Sequence, residues 1–114
     1  MKTTIYHNPK CSKSRQTLAL IQEEGIEPEV IEYLKEPPSQ DELKSLAQAL
    51  SKRPGEFTRK KDAASEVPGL NLEDDQAVLS AMASHPKIIE RPIVVRGDKA
   101  VLGRPPENVH ALLG

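Results

Sequence analysis

The sequence predicts a single α/β domain with a mixed central sheet, and three consecutive patterns along residues 1–114 support this prediction. The chain begins with a strand, a helix and a second strand, which form a βαβ unit. A helical insert follows over about residues 39–86. Two strands joined by a tight turn and a last helix complete the order. The chain is long enough for one hydrophobic core and too short for two domains.

The βαβ unit occupies the first third of the chain. Residues 3–6 are β-branched and aromatic, which is typical of a strand, and residues 16–24 show helical periodicity until Gly25 ends the helix. Residues 29–34 then predict a second strand. Because a strand–helix–strand crossover is right-handed and connects parallel strands, we expect these two strands to pair in parallel.

The insert begins with a helix start signal. Pro37 and Pro38 break the regular structure, and Ser39 with Glu42 forms a capping box, in which each side chain binds the backbone N–H of the other residue. The helix is expected to end within residues 51–54. Its apolar face is formed by Leu43, Leu46, Ala47 and Leu50.

The rest of the insert is less regular. Residues 53–62 have no clear period and many charges, and residues 67–69 predict a turn. Residues 73–84 return to helical periodicity, and His85 with Pro86 ends this helix. Its inward-facing residues are expected to be Val78, Leu79 and Met82.

The C-terminal part predicts a β-hairpin and a helix. Residues 92–95 and 99–102 are strand-like and flank a glycine-containing turn at residues 96–98. Residues 105–107 suit the first turn of a helix, because proline is tolerated there and a carboxylate complements the helix dipole. The residues expected to pack this helix on the sheet are Val109, Leu112 and Leu113. The complete order is that of a thioredoxin-like fold.

Cys11, the only cysteine of the chain, lies between the first strand and the first helix. Backbone N–H groups at a helix N-terminus lack intrahelical partners and favour an anion. Lys10, Lys13 and Arg15 add positive charge to the same loop, and such surroundings lower the pKa of a thiol from its usual value of about 8.5. A lone cysteine is most often a small buried hydrophobe, but these polar neighbours favour a reactive thiolate.

The same loop cannot form an internal disulfide. Ser14 occupies the position at which a Cys-x-x-Cys redox motif starting at Cys11 has its second cysteine. A disulfide that regenerates the thiol must therefore form with another molecule.

The loop resembles that of a known family. Residues 5–15, IYHNPKCSKSR, match the nucleophile loop of the glutathione- and glutaredoxin-coupled arsenate reductases, which are ArsC-like proteins of thioredoxin fold. Further matches follow in the same order along nearly the whole chain, at residues 27–34, 37–39, 59–60, 85–86, 91–95 and 103–105. The resemblance implies that the protein reduces arsenate to arsenite.

The resemblance also implies the chemical roles of the site residues. Cys11 attacks arsenate as a thiolate, with glutathione as co-substrate, glutaredoxin as partner and no bound cofactor. Three guanidinium groups grip the oxyanion, those of Arg59, Arg91 and Arg104. His7 stabilises the thiolate if it is protonated.

The other implied roles are structural. Pro92 is expected to form a cis peptide bond with Arg91 beside the cysteine. The loop itself is expected to be held by Asn8, Ser14 and Arg15.

From the residues alone, alternatives to these roles stay open. Arg59 lies in a basic run with Lys60 and Lys61, and such a run is usually a solvated face. Arg104 could point to solvent or back over the end of the sheet. His7 could be an exposed histidine at the end of a strand.

Two other function classes also stay open. Related thioredoxin-fold proteins are transcriptional regulators that bind RNA polymerase and sense oxidation, although Ser14 here replaces the second cysteine of such a switch. A general glutathione-dependent thiol reductase is the other alternative. The sequence departs from the plasmid-type arsenate reductases, which continue further at the C-terminus and have another residue in place of Gly103.

Composition argues against several partners and points to the cytoplasm. The 16 basic and 17 acidic side chains nearly cancel and tryptophan is absent, so neither nucleic acid nor an anionic membrane is expected to bind. No apolar run reaches the roughly 18 residues of a membrane span, and no signal-peptide pattern is seen. A lone cysteine suits a reducing compartment. No metal is expected, because His85 and His110 lack the spacing of ligands.

Overall fold

The computed structural model describes residues 2–113, which divide into two compact units. The first unit comprises residues 2–36 and 91–113 and contains the four strands of the described chain. The second unit, Pro37–Glu90, contains helices joined by turns and irregular segments, and an isolated β-bridge. No helix within the described residues is long and apolar enough to cross a membrane.

The sheet of the first unit is mixed, as predicted. Its strands are β1 (Thr3–His7), β2 (Glu29–Glu32), β3 (Ile93–Arg96) and β4 (Lys99–Leu102). They lie in the order β2-β1-β3-β4, with β1 and β2 parallel and the other two pairs antiparallel. The predicted parallel pair and the predicted hairpin are therefore confirmed.

Three strand ends meet at one edge of this sheet. His7, the last residue of β1, pairs with Glu32, the last residue of β2, because the two strands are parallel. Tyr6 pairs with Ile93, the first residue of β3, because these strands are antiparallel. The segments that follow β1 and β2, and the segment that precedes β3, therefore lie at the same edge.

Helix α1 (Ser12–Glu23) begins earlier than predicted. Cys11 is its N-cap. In the first turn the fully buried residue is the polar Ser14, so the spacing of apolar residues did not predict that the helix begins there. The end of the helix agrees with the prediction. Gly25 has a φ of 78°, and its N–H donates to the carbonyl of Gln22 at 2.9 Å.

The core of the first unit takes residues from β1, α1, β3 and the C-terminal helix. Its fully buried members are Ile5, Ile21, Val94 and Val109. The C-terminal helix starts as a 3-10 turn, Pro106–Val109, and continues as the α-helix His110–Leu113. Its predicted packing is confirmed, because Val109 is buried and Leu112 and Leu113 pack against this core.

Helix α2 (Gln40–Leu50) opens the second unit with the predicted capping box. The N–H of Glu42 donates to Ser39 Oγ at 3.1 Å, and the N–H of Ser39 donates to Glu42 Oε1 at 3.0 Å. The helix ends where Ser51 adopts a left-handed conformation, with a φ of 56°. The predicted apolar face is buried, at Leu43, Leu46, Ala47 and Leu50.

The stretch without a clear period contains two short helices. A 3-10 helix covers Pro54–Phe57, and α3 covers Lys60–Glu66. Helices of one or two turns are too short to show an apolar period, so the sequence did not predict them. Helix α4 (Asp75–Ser84) follows, capped by the side chain of Asp74. The residues predicted to face inward on α4 are buried: Val78, Leu79 and Met82.

Candidate active site

Cys11 lies at the N-terminus of α1 with its side chain partly exposed. Its N–H donates to the carbonyl of Asn8 at 3.0 Å and closes a turn. Its carbonyl accepts from the N–H of Arg15 at 3.0 Å, which starts the hydrogen bonds of the helix. The sulfur therefore lies at the end of α1 where backbone N–H groups of the first turn have no partner within the helix.

These N–H groups lower the pKa of the Cys11 thiol. Burial is the largest single influence and raises this pKa. It is outweighed by hydrogen bonds from the backbone N–H of Ser14, the side chain of Arg91 and the backbone N–H of Lys13, together with the charge of Arg91. The pKa of the Cys11 thiol is therefore lower than its usual value, which is the direction that the sequence predicted. The main donors are backbone groups and an arginine distant in sequence, and not the side-chain charges of the loop.

Arg91 is the cation beside the sulfur. The peptide bond from Arg91 to Pro92 is cis, as the resemblance implied. The side chain is half-buried, and Cys11 and Tyr33 are the two groups that act on its charge. Burial tends to lower the pKa of the Arg91 guanidinium, but the attraction of Tyr33 and Cys11 raises it above its usual value. Arg91 is therefore a cation throughout the physiological pH range.

Tyr33 is a residue of this site that the sequence reading did not single out. It follows the last residue of β2 and is 1% exposed. A signal was available, because residues beyond the carboxyl ends of neighbouring parallel strands lie close together. Tyr33 directly follows β2, and the loop that leads to Cys11 directly follows β1.

His7 is buried, with 6% of its surface exposed, and the exposed alternative is wrong. Its Nδ1 lies 2.6 Å from Ser14 Oγ, and this oxygen also accepts from the N–H of Asn8 at 3.0 Å. Burial lowers the pKa of His7 and outweighs the opposite effect of the Glu32 carboxylate. The structure therefore favours a neutral ring that holds Ser14 over an imidazolium beside the Cys11 thiolate.

Other side chains hold the loop before Cys11. Asn8 Oδ1 accepts from the N–H of Lys10 at 3.0 Å. Arg15 Nη1 donates to the carbonyl of Pro9 at 2.9 Å. These contacts bind the loop to itself and to the first turn of α1, so the backbone that surrounds the sulfur is well supported.

Arg104 has surroundings that differ from those of Arg91. Its side chain is exposed, which corresponds to the orientation toward solvent. Its carbonyl accepts from Asn108 Nδ2 at 3.2 Å. The peptide bond from Arg104 to Pro105 is also cis, which the sequence reading did not predict.

Gly103 is buried where the chain leaves β4, and a side chain would not fit there. A Cβ atom on Gly103 would lie 2.6 Å from Thr17 Oγ1 and 2.7 Å from Pro92 Cγ. The N–H of Gly103 also donates to the carbonyl of Pro92 at 2.8 Å. Gly103 is therefore part of a close contact between α1 and the segment that carries the cis proline.

Arg59 lies in the second unit as the N-cap of α3. Its Nε donates to Asp62 Oδ2 at 2.7 Å, and its N–H donates to the carbonyl of Ile88 at 2.6 Å. The side chain of Arg59 is 26% exposed, whereas Lys60 and Lys61 are exposed. Arg59 is therefore a partly buried arginine with a fixed partner, and not one member of a uniformly solvated basic face.

The other two histidines lie beside carboxylates. His85 Nδ1 is 3.7 Å from Glu66 Oε1, and His110 Nδ1 is 3.9 Å from Glu24 Oε1. Among residues 2–113, no three His, Cys, Asp or Glu side chains form a group that could hold a metal ion.

The first unit thus brings a thiol of lowered pKa and a half-buried cation to the edge where three strand ends meet. Cys11 supplies the nucleophile, and Arg91 with the start of α1 supplies positive potential for an anionic substrate. Arg91 Nε is buried and has no hydrogen-bond partner within residues 2–113, so one donor is left for a bound group. Nucleophilic attack on an oxyanion is the chemistry that this arrangement supports best.

Comparisons with known proteins find similar sequences over nearly the whole chain. The model of the ArsC family matches residues 6–112. An arsenate reductase of Haemophilus influenzae is 47% identical, and the match covers 99% of this chain and 100% of the relative. The uncharacterized protein YfgD of Escherichia coli K12 is 45% identical, with coverage of 96% and 95%.

A solved structure has the same fold. The arsenate reductase from Vibrio cholerae matches with a TM-score of 0.85 and 48% sequence identity, over 97% of this chain and 97% of that one. The predicted thioredoxin-like fold and the resemblance of the cysteine loop are both confirmed.

Proposed function

The chain belongs to the ArsC family, and from this premise we propose that it is an arsenate reductase. The contact between Arg91 and Cys11 supports the proposal most directly, because it joins a nucleophile to a cation suited to an oxyanion. Arsenate is a tetrahedral oxyanion whose central atom is open to attack by a thiolate. The names of the relatives point to the same substrate.

In the first step the Cys11 thiolate attacks arsenic. A sulfur–arsenic bond forms, and a hydroxyl group of arsenate takes up one proton and leaves as water, so arsenic stays in the +5 state. Arg91 and the free N–H groups at the start of α1 bind the remaining oxygens and stabilise the charge that develops on them.

In the second step glutathione reduces the adduct. Its thiolate attacks the sulfur of Cys11, the sulfur–arsenic bond breaks, and the electron pair of that bond passes to arsenic. Arsenic falls from +5 to +3 and leaves as arsenite. Cys11 remains in a mixed disulfide with glutathione, because the chain has no second cysteine. Glutaredoxin then takes the glutathione and restores the thiol.

The supporting residues have graded roles in this proposal. Arg59 and Arg104 are assigned to oxyanion binding from the family resemblance. We expect Arg104 to contribute less to oxyanion binding than Arg91, because the side chain of Arg104 is exposed. His7 acts through Ser14, whose Oγ it binds and whose N–H faces the thiolate. Its contribution is to hold that donor in place.

The setting of the reaction follows from the same premise. We propose that residues 1–114 act as one enzyme domain in the cytoplasm, where glutathione and glutaredoxin are available and thiols stay reduced. Its role there is arsenic detoxification. Glutathione takes part as a co-substrate, and the scheme uses no bound cofactor.

The direct test is an arsenate reductase assay beside a disulfide-substrate assay under the same conditions. We expect arsenite to form when glutathione and glutaredoxin are both present. Turnover of the disulfide without arsenite would support a general thiol reductase instead. Sustained turnover with thioredoxin and no glutathione would contradict the proposed coupling.

The mixed disulfide allows a second test. Reaction with arsenate and glutathione, but without glutaredoxin, should leave one glutathione on Cys11. Intact-mass measurement detects this adduct, and added glutaredoxin should remove it. A dimer joined through Cys11 as the main product would contradict this route.

A further inference from the structure

We propose that a cavity beside the cysteine loop binds the glycine arm of glutathione and so brings the glutathione thiol to Cys11. The cavity has a volume of about 210 Å³ and lies within the first unit. Residues 7–10 line one wall, and the other wall is lined by Glu32, Leu34 and Lys35. The inference rests on the proposed function and deepens it, because it assigns a site to the co-substrate.

Strand order places this cavity on one side of the cysteine loop and Arg91 on the other. In the sheet, β1 lies between β2 and β3. The cavity is lined by the segments at the ends of β1 and β2, which lie side by side because His7 pairs with Glu32. Arg91 instead precedes β3. The cavity and the arginine proposed to bind the oxyanion therefore flank the loop after β1 from opposite sides.

Reduction of the arsenic adduct requires an approach from opposite sides. The thiolate of glutathione attacks the sulfur of Cys11 while arsenic leaves from that sulfur, so the two sulfur atoms and arsenic lie nearly in line. Glutathione must therefore approach from the side away from the bound oxyanion. A cavity on the β2 side of the loop offers this approach when the oxyanion is held on the β3 side.

Local hydrogen bonds hold both walls of the cavity. After β1, the N–H of Cys11 donates to the carbonyl of Asn8 at 3.0 Å, and the N–H of Lys10 donates to Asn8 Oδ1 at 3.0 Å. After β2, the N–H of Lys35 donates to the carbonyl of Glu32 at 2.9 Å. The cavity is therefore preformed, and a ligand can bind there without the cost of ordering either segment.

The charges at the cavity suit a carboxylate. Lys10 lines one wall and Lys35 the other, and both residues are exposed. Within residues 2–113 the ammonium of Lys10 has no hydrogen bond or ion pair. Lys35 Nζ lies 3.6 Å from Glu32 Oε1, and such a long pair between solvated side chains is weak. Both ammonium groups can therefore turn to a bound carboxylate.

The glycine arm of glutathione fits this cavity in reach, size and charge. Its carboxylate lies within two residues of the sulfur-bearing residue, a span of at most about 7 Å, and Lys10 directly precedes Cys11. The cavity is smaller than the roughly 300–1,000 Å³ of most ligand pockets, so it holds one arm and not the whole tripeptide. The γ-glutamyl arm carries an ammonium beside its carboxylate, so the two lysines favour the glycine arm.

The test is thiol–disulfide exchange with oxidised glutathione, which needs no arsenate. The Cys11 thiolate attacks one sulfur of this disulfide, the sulfur–sulfur bond breaks, and one glutathione thiolate leaves. The second probe is the diethyl ester of oxidised glutathione, in which both glycine carboxylates are blocked. Intact-mass measurement of the protein that carries one glutathione gives both rates. We expect the wild type to react about tenfold faster with the free acid than with the ester.

The double variant Lys10→Gln/Lys35→Gln should lose this preference. We expect the ratio of the two rates to fall to about twofold, mainly because the reaction with the free acid slows. Both probes react with the same thiol, so any change in the thiol pKa cancels in the ratio. Lys99→Gln is the matched control, because Lys99 is an exposed lysine of β4, at the opposite edge of the sheet. It should keep the wild-type ratio.

Three results would overturn the proposal. A wild-type ratio near one would mean that the protein does not bind the glycine carboxylate. A ratio retained in the double variant would mean that another group binds it, and a ratio lost in Lys99→Gln would mean that overall charge decides it. The proposed function fails separately, if the wild type with glutathione and glutaredoxin forms no arsenite. The ratio of the exchange rates still tests the cavity in that case.

Discussion

Arg91 and Arg104 share a local sequence and differ in their surroundings. Each is followed by a proline, and both peptide bonds are cis. Arg91 is half-buried, and its guanidinium hydrogen-bonds Cys11. Arg104 is exposed, and its carbonyl accepts the hydrogen bond from Asn108.

The difference shows that local sequence does not decide whether an arginine acts on the thiol. The charge of an exposed guanidinium is screened by water and salt, whereas a half-buried one acts at short range in a medium of lower dielectric constant. Arg91 is therefore expected to act on both the thiolate and the oxyanion. Arg104 is expected to act on the oxyanion alone.

Cys11→Ser should have the largest effect, because it removes the group on which this contrast depends. We expect arsenite formation with glutathione and glutaredoxin to fall by about 10³-fold or more, since a serine hydroxyl is not ionised at neutral pH. The exposed neighbour offers a control, and Ser12→Ala should keep wild-type activity. Activity retained in Cys11→Ser would end the thiolate mechanism.

Arg91→Lys should have the next largest effect. Lysine keeps the charge but loses the planar fork, so we expect kcat/KM for arsenate to fall about 30-fold. The thiol pKa of Cys11 should rise, because the hydrogen bond to the sulfur is weakened. A higher pKa means less thiolate at neutral pH, so alkylation should slow there and recover as the pH is raised.

Arg96→Lys is the control for this substitution. Arg96 belongs to β3, and its Nη1 donates to Thr3 Oγ1 at 2.9 Å. We expect neither the activity nor the thiol pKa to change. An Arg91→Lys variant with the wild-type thiol pKa would remove the distinction between Arg91 and Arg104.

Arg104→Lys should have a smaller and simpler effect. We expect kcat/KM for arsenate to fall about fivefold, and the alkylation profile of Cys11 to match the wild type. Arg53→Lys, at another exposed arginine, should change neither measurement. A rise in the thiol pKa of Arg104→Lys would show that the Arg104 guanidinium reaches the sulfur in solution.

His7→Gln should have the smallest effect, on stability. Loss of the contact with Ser14 Oγ should lower the free energy of unfolding by about 1 kcal/mol at neutral pH, as measured with urea. Burial lowers the pKa of folded His7, so the stability that depends on its neutral form is complete above the ordinary pKa of about 6.5 and is lost as the pH falls through the lowered value.

The pH dependence gives this prediction its check. His7→Gln lacks the titration, so the difference in stability between the wild type and His7→Gln should shrink as the pH falls from about 7.5 to about 5. A difference that grew in acid would mean that His7 is protonated in the folded protein. The ring would then be a cation near the Cys11 thiolate, as the resemblance suggested.

The regular elements could be predicted because their signals are local. The capping box of Ser39 and Glu42 satisfies backbone groups within a single turn, and Gly97, with a φ of 66°, suits the hairpin turn. The start of α1 was predicted too late, because the burial of Ser14 depends on its contact with His7 in another element.

By itself the sequence determined the order of the strands and of the longer helices and the place of Cys11 at a helix N-terminus, because periodicity, caps and turns depend on neighbouring residues. Only the tertiary structure decided that Arg91 contacts the sulfur, that Arg104 is exposed, and that His7 is buried. Tyr33 joined the site in the same way. These contacts depend on strand order and register, which bring together segments far apart in sequence and which no local pattern contains.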